Sequence, residues 1–306
     1  MRPFRTLFPR IVMILLLSAG CEPGDTAETE AMPPAISEPD FEFSGTFRGP
    51  LGLQLWSVRD AMDQDLEGTL AWVREMGFRE VETAGTHGRS AQEFRRLLDE
   101  ADLRATAVHT GYERLRDSLQ VVLAEADTLG TRYVGTAWIP HPEDRPFGLE
   151  LPREAAAHFN EWGAAASERG LRFFYHVHGY EFEPAADGSI PFDVLVTETD
   201  PEHVYFEMDV FWVAHPGVDP VELLHKYPDR WVLMHVKDLR EGTPSDFSGH
   251  APAEANVAVG QGRIDYPAVL RVAAELGVEH YYIEDETTDP KANIPISIRY
   301  METVQF

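Results

Sequence analysis

Eight apolar, β-rich runs alternate with stretches of helical period from Leu51 onward, and that alternation leaves few folds open. The runs are Leu51–Val58, Phe78–Ala84, Arg104–His109, Tyr133–Ile139, Leu171–His178, Val204–Trp212, Trp231–Lys237 and His280–Glu284. Between them, Leu66–Met76, Ala91–Ala101, Tyr112–Leu129, Arg153–Arg169, Val221–Tyr227 and Tyr266–Leu276 carry apolar residues three and four apart, the stripe by which a helix buries itself. Gly77, Gly130, Gly170 and Gly277 each follow a helix and precede a strand, where a left-handed cap is expected. Strands apolar on both faces imply a parallel sheet covered by helices. The pattern predicts an α/β chain folded as one (β/α)8 barrel over residues 49–306. A doubly wound open sheet is the alternative, but no Gly-x-Gly-x-x-Gly follows the first strand.

Four of these runs pass from apolar residues onto a side chain that can hold a metal: His176, Asp209, His235 and Glu284. In a parallel barrel such strand ends meet on one rim. An unpaired charge buried there costs several kcal/mol or titrates away, so two imidazoles and two carboxylates together suit a borderline divalent cation. His178 lies two residues past His176, and Lys237 two past His235, so each pair shares a strand face. Lys237 is open to three roles: holding an oxyanion, moving a proton beside a cation, or pairing with Asp238 or another rim carboxylate. Alternation also puts Glu207 on the face of Asp209. Earlier strands add Gln54, Trp56, Glu82, His109 and Trp138 as pocket residues, whose hydrogen-bonding groups and aromatic faces suit a sugar. Of the three successive acids Glu284, Asp285 and Glu286, only Glu284 is expected to point inward. Gly260-Gln261-Gly262 reads as a tight loop bordering the site, with Asp265 as a helix cap.

The first residues set a compartment. Arg2, Arg5 and Arg10 precede the apolar run Ile11–Leu17, followed by Ser18-Ala19-Gly20-Cys21, the layout of an export signal too short to span a membrane. Small residues before the only cysteine resemble the lipobox of bacterial lipoproteins, which implies cleavage after residue 20, lipidation of Cys21, and an exported protein held to a membrane by that anchor alone. Residues 21–48, rich in Glu, Pro, Ala, Thr and Ser, read as a flexible acidic tether. One cysteine allows no internal disulfide. The chain carries 26 basic and 52 acidic residues for a formal charge of −26; without the three arginines of the leader it is −29. Such a surface repels nucleic acid and anionic lipid.

Residues 51 to about 303 resemble the sugar phosphate isomerase/epimerase group of xylose-isomerase-like TIM barrels. The resemblance rests on Gln54-Leu55-Trp56-Ser57-Val58-Arg59, Tyr175-His176-Val177-His178 with Glu181-Phe182, Glu207-Met208-Asp209 with Trp212, His235-Val236-Lys237-Asp238, and Gly260-Gln261-Gly262 with Ile264-Asp265. It implies a divalent metal at the carboxyl end of the barrel, manganese first, with zinc, magnesium, cobalt or iron as alternatives. The group's Glu, Asp, His and Glu ligands fall on His176, Asp209, His235 and Glu284, a departure at the first position. Its substrate-binding histidine after the aspartate is replaced by Trp212. The Tyr-His-x-His branch is similar to proteins linked to oxidised sugars and glycosides.

Together these readings give a metal-dependent isomerase or epimerase of a free or keto sugar, working through an enediolate. Glu284 is the base, and Lys237 or His178 handles the second transfer. A lyase of 3-keto-glycosides using the same metal is the alternative, and an inert glycan-binding lipoprotein the second. The expected partners are a small sugar or keto-glycoside and an oxidoreductase of the same pathway.

Overall fold

The computed structural model describes residues 40–142 and 144–306. Eight parallel strands close into a barrel: Leu51–Gln54, Glu80–Ala84, Arg104–His109, Tyr133–Thr136, Arg172–His176, Val204–Asp209, Trp231–Val236 and His280–Ile283. Each pairs with its sequence neighbour, and the first closes on the eighth through Leu51–Tyr281 and Leu53–Ile283. This is the (β/α)8 barrel expected from the alternation. The helices Leu66–Glu75, Ala91–Glu100, Tyr112–Leu129, Glu150–Ser167, Pro220–Lys226 and Tyr266–Leu276 match the helical stretches read from sequence to within three residues at either end.

Several strands end sooner than their apolar runs do. After Gln54 the apolar run continues as a 3-10 turn, Leu55–Val58. After Asp209 it becomes the short helix Val210–Ala214, whose first turn Asp209 caps. Apart from Trp56 both segments are largely buried, so hydrophobicity continues where the extended backbone stops. The helices Arg59–Gln64, Pro191–Glu198 and Pro290–Thr303 carry weaker periodicity and were not anticipated. In the long loop after the seventh strand, Asp238–Leu239 and Asn256–Val257 form a small antiparallel pair.

Inward residues stack in layers. Two positions below His109, His176, His235 and Glu284 lie Ala107, Phe174, Leu233 and Tyr282, which with Tyr133 and Val232 form one buried cluster. This dry floor keeps the polar residues above it at the carboxyl end, where a barrel builds its site. Outward residues such as Tyr175, Phe206 and Met208 join the larger core shared with the helices.

Residues 40–48, read as part of the tether, instead pack on the barrel. Phe41 meets Phe78 edge-on at 5.2 Å and Phe47 meets Tyr281 at 5.0 Å. The amides of Ser44, Gly45 and Thr46 donate to the carbonyls of Glu302 and Val304. Three phenylalanines in seven residues outweigh the acidic composition around them. The export signal, Cys21 and the rest of the tether lie outside the described residues. Among the described residues no helix is long and apolar enough to cross a membrane.

Candidate metal centre

His176, Asp209, His235 and Glu284 converge. The Nε2 of His176 lies 3.0 Å from Nδ1 of His235. The Oδ2 of Asp209 stands 3.5 Å from the first and 3.6 Å from the second. The Oε2 of Glu284 is 3.4 Å from His235 Nδ1. Donors about 2.0–2.2 Å from a common ion are separated by about this much in a tetrahedron. Barrel pairing explains the meeting: Asp209 and His235 are register partners on adjacent strands.

The donor set fits a cation on an independent count. Asp209 uses Oδ1 to accept from the Trp212 amide at 2.9 Å. Its Oδ2 is fully buried and has no hydrogen-bond partner among the described residues, a cost that a bound ion removes. His235 turns Nε2 to Glu82 Oε2 at 2.5 Å, which holds a proton there and makes Nδ1 the nitrogen an ion would take, the arrangement common in metal sites. If His176 likewise offers Nε2, its proton sits on Nδ1, 3.2 Å from Nδ1 of His178. His178 then accepts on Nδ1 and carries its own N–H on Nε2. Burial first, then the neighbouring His176, pushes the His178 imidazole well below its ordinary range and keeps it neutral.

Lys237 lies beside this set, 1 % exposed. Its Nζ donates to Glu284 at 2.9 Å and to Glu286, and stands 3.9 Å from Asp209 Oδ2. Burial alone would lower its pKa, but the charges of Glu284, Glu286 and Asp209 outweigh it and raise it above the ordinary lysine value. Without an ion present, Lys237 is therefore a fixed positive charge, and the ion-pair reading describes it; Asp238 is not its partner. Burial would also raise the Asp209 carboxyl, but Lys237 and the imidazoles bring it down to about 2. The same balance holds Glu284 well below the usual range.

Above the cluster opens a cleft of about 760 Å3, lined by Gln54, Trp56, His109, Trp138, His178 and Trp212 together with His176, His235 and Glu284. The Trp212 ring stacks on His178 at 5.2 Å, and Trp138 meets His178 edge-on at 5.3 Å. Trp56 is exposed at the rim and donates Nε1–H to Glu286. Glu82, expected among the substrate contacts, lies below the cleft instead. It is fully buried and accepts from Gln54 and His235.

Four acidic residues gain importance from the structure. Glu207 is fully buried 2.9 Å from His109 Nε2; alternation with Asp209 was the signal that pointed to it. Glu286 anchors Lys237, so the acids closing the last strand are not a solvated rim. Asp285 is buried too, its carboxylate accepting from Thr287. Glu181 accepts the His178 amide with both oxygens and the Tyr175 hydroxyl, holding the turn that carries His178. The Gly260-Gln261-Gly262 loop turns its amides to Asp238, at 2.9 Å from Gly260 and from Gly262, and is a cradle for that side chain. Asp265 caps its helix by accepting from Ala268.

Residues 70–304 match the family model of the xylose isomerase-like TIM barrel. An inosose dehydratase of Clostridium tetani (strain Massachusetts / E88) is 24 % identical over 270 residues, 79 % of this chain and 90 % of that one. A sugar phosphate isomerase/epimerase structure from Parabacteroides distasonis superposes with a TM-score of 0.68 at 22 % identity, over 85 % of this chain and 98 % of the other. The IolI protein with a binding zinc atom gives 0.60 at 15 %, over 83 % and 95 %. A 3-keto-D-glucoside 4-epimerase from E. coli gives 0.57 at 18 %, over 83 % and 99 %. At these identities the structural likenesses establish the fold, and with the family match they settle the classification: the chain belongs to the xylose isomerase-like TIM-barrel family.

Proposed function

We propose that this protein is a divalent-metal-dependent enzyme that enolises a keto-sugar or keto-cyclitol and then expels the substituent on the next carbon, a lyase in outcome. The observation that carries the reading is the carboxylate set: Glu284 borders the cleft at the donor cluster, Glu82 and Glu207 are fully buried beneath it, and the other acids that line it, Glu286 and Glu125, are engaged by Lys237 with Trp56 and by Arg114. One base can begin an elimination, but inversion at one carbon by a pair of carboxylates needs a second on the opposite side of the substrate. A dehydratase among the relatives and a keto-glucoside among the substrates of structural neighbours support the substrate class.

His176, Asp209, His235 and Glu284 would hold the metal, and the zinc in the IolI structure supports such a site. When bound, the metal supplies a Lewis acid for adjacent carbonyl and hydroxyl oxygens. Glu284 takes the proton from the carbon beside the ketone. The C–H electrons form the enolate double bond as the carbonyl pair moves to oxygen. That pair then re-forms the ketone, the former C–H electrons become a double bond between the α and β carbons, and the β-carbon–oxygen pair leaves with the oxygen. Neutral His178 donates its Nε2–H toward the oxygen that gains charge, a role an uncharged imidazole can fill. Lys237 holds Glu284 ionised until it accepts the proton. Trp138, Trp212 and Trp56 offer faces for the sugar ring.

Incubation of the manganese-loaded protein with a 3-keto-glucoside in deuterated water tests this. Release of free leaving group, abolished by chelator and by Glu284→Gln, is the expected result. Deuterium incorporation with an intact glycosidic bond would return the assignment to isomerase or epimerase, which the neighbouring epimerase structures favour. Sugar binding that persists in chelator without turnover would leave a glycan-binding barrel. Residues 1–21 add the inference that the enzyme is exported and lipid-anchored at Cys21; a keto substrate in turn implies an oxidoreductase that makes it. Labelling with a radioactive fatty acid, lost in Cys21→Ser, checks the anchor.

A further inference from the structure

Below the outer donor set lies a second one that the proposed reaction does not use: Glu82, His109, Glu207 and His235. The Nε2 of His109 is 3.2 Å from Glu82 Oε1 and 2.9 Å from Glu207 Oε2. The Nε2 of His235 is 2.5 Å from Glu82 Oε2 and 3.3 Å from Glu207 Oε1. Two imidazole nitrogens thus face two carboxylates around one point; the 3.2 and 3.3 Å spacings match the edges of a four-coordinate cage about 2.0–2.2 Å in radius, while the 2.5 and 2.9 Å pairs are hydrogen bonds that an entering ion opens.

A hydrogen-bonded quartet would satisfy every acceptor, and this one does not. Glu82 Oε1 and Glu207 Oε1 are both fully buried and neither has a hydrogen-bond partner among the described residues. Native interiors rarely leave such atoms bare, and two within one four-residue cage point to a missing positive centre. Gln54 already donates to Glu82 Oε2 and fixes the carboxylate with Oε1 turned inward. His109 lines the cleft and its side chain is 13 % exposed, the edge of the set from which an ion can enter.

We propose that Glu82, His109, Glu207 and His235 bind a second divalent cation, and that the His235 imidazole is shared, with Nδ1 serving the outer ion and Nε2 the inner one. Mixed nitrogen and oxygen donors in a four-coordinate cage favour zinc over magnesium or calcium. Ligands must bind deprotonated, so filling the inner site releases to solvent the protons on His235 Nε2 and on His109 Nε2. The inference rests on the metal reading above for the outer ion but not on the reaction assigned to it.

The test is metal stoichiometry of the untagged full chain, stripped with chelator, reloaded with zinc and dialysed. Two zinc ions per chain are expected. Glu207→Gln and His109→Asn, each checked for folding by circular dichroism, should retain one, and His176→Asn should also retain one. With cobalt in place of zinc, the doubly loaded protein should show magnetic coupling between the two ions, lost in Glu207→Gln. One ion in the wild type, or two retained in Glu207→Gln and His109→Asn alike, overturns the inner site and leaves the outer one standing. No bound ion overturns both.

Discussion

Lys237 reaches Glu284 at 2.9 Å, so the residue assigned as base is paired with a buried positive charge. The same ammonium serves Glu286 and faces Asp209. Removing one partner of a buried ion pair strands the other, typically at a cost of about 3–5 kcal/mol. Lys237→Met should therefore lower the unfolding temperature steeply in chelator. It should do so much less with manganese present, because a cation at the neighbouring donors replaces part of the lost charge. Thermal unfolding of both proteins under both conditions measures the difference. An equal loss with and without metal would mean that Lys237 and the ion do not share the same carboxylates.

Asp209 divides its two oxygens between structure and site. Oδ1 caps the helix Val210–Ala214 through the Trp212 amide, while Oδ2 faces the imidazoles. Asn at this position keeps an oxygen for the cap but loses the charge. Asp209→Asn should lose about 2–3 kcal/mol of stability in chelator, because Lys237 and the imidazoles favour the charged carboxylate, and should bind manganese at least tenfold more weakly. Asp209→Ala should lose the cap as well, a further cost of about 1 kcal/mol. Denaturant titration beside metal-binding calorimetry separates the two oxygens; equal stability of the two variants would deny the cap any weight.

The barrel was legible because its determinants are local. The alternation of runs, the helical stripes and the left-handed caps at Gly130 and Gly277 each involve residues close in sequence. The outer donors could be read for a related reason: each is a polar residue ending an apolar run, and a parallel barrel gathers strand ends. Burial depth could not be read. Glu82 has the same kind of sequence environment as a cleft residue, yet pairing with Gln54 across the first two strands puts its carboxylate below the opening. Lys237 is similar, since the carboxylates that raise its pKa come from the sixth and eighth strands and the residues just beyond. Phe41, Phe43 and Phe47 failed for the opposite reason: composition averaged over the tether hid three anchors that meet the barrel's own aromatics.

Glu181 gives a pH prediction. Burial raises its carboxyl from 4.5 to about 7, only partly offset by the Tyr175 hydroxyl and the amides around it. A folded pKa above the unfolded one means that the native state holds the proton longer. Its contribution is then fully present below about pH 4.5 and is lost as pH rises through about 7. At about 1.4 kcal/mol per unit the loss amounts to roughly 3 kcal/mol at most. Urea unfolding in chelator at pH 5 and pH 8 should show a fall in stability for the wild type that is smaller in Glu181→Gln. The same slope in both proteins would assign the pH dependence elsewhere. The turn carrying His178 hangs on this carboxylate, so the variant should also lose turnover while keeping its metal.

The last prediction concerns Gly262, whose missing side chain makes room for Asp238. A Cβ there would stand 2.2 Å from Asp238 Oδ1 and 2.5 Å from the Leu239 carbonyl oxygen. Asp238 is buried, and the amides of Leu239, Gly260 and Gly262 are what make its burial tolerable. Gly262→Ala must push the loop off the carboxylate and leave it short of donors, which costs about 1–3 kcal/mol for an unsatisfied buried acceptor and more for a charged one. Asp238 directly follows Lys237, so the displaced loop should also disturb the site. The expected outcome is a lower unfolding temperature together with weaker manganese binding. Asp238→Asn, which fits the same space without the charge, should be milder in both. Gly262→Ala unfolding at the wild-type temperature would show that the loop yields freely, and that the glycine is there for some reason other than the cradle.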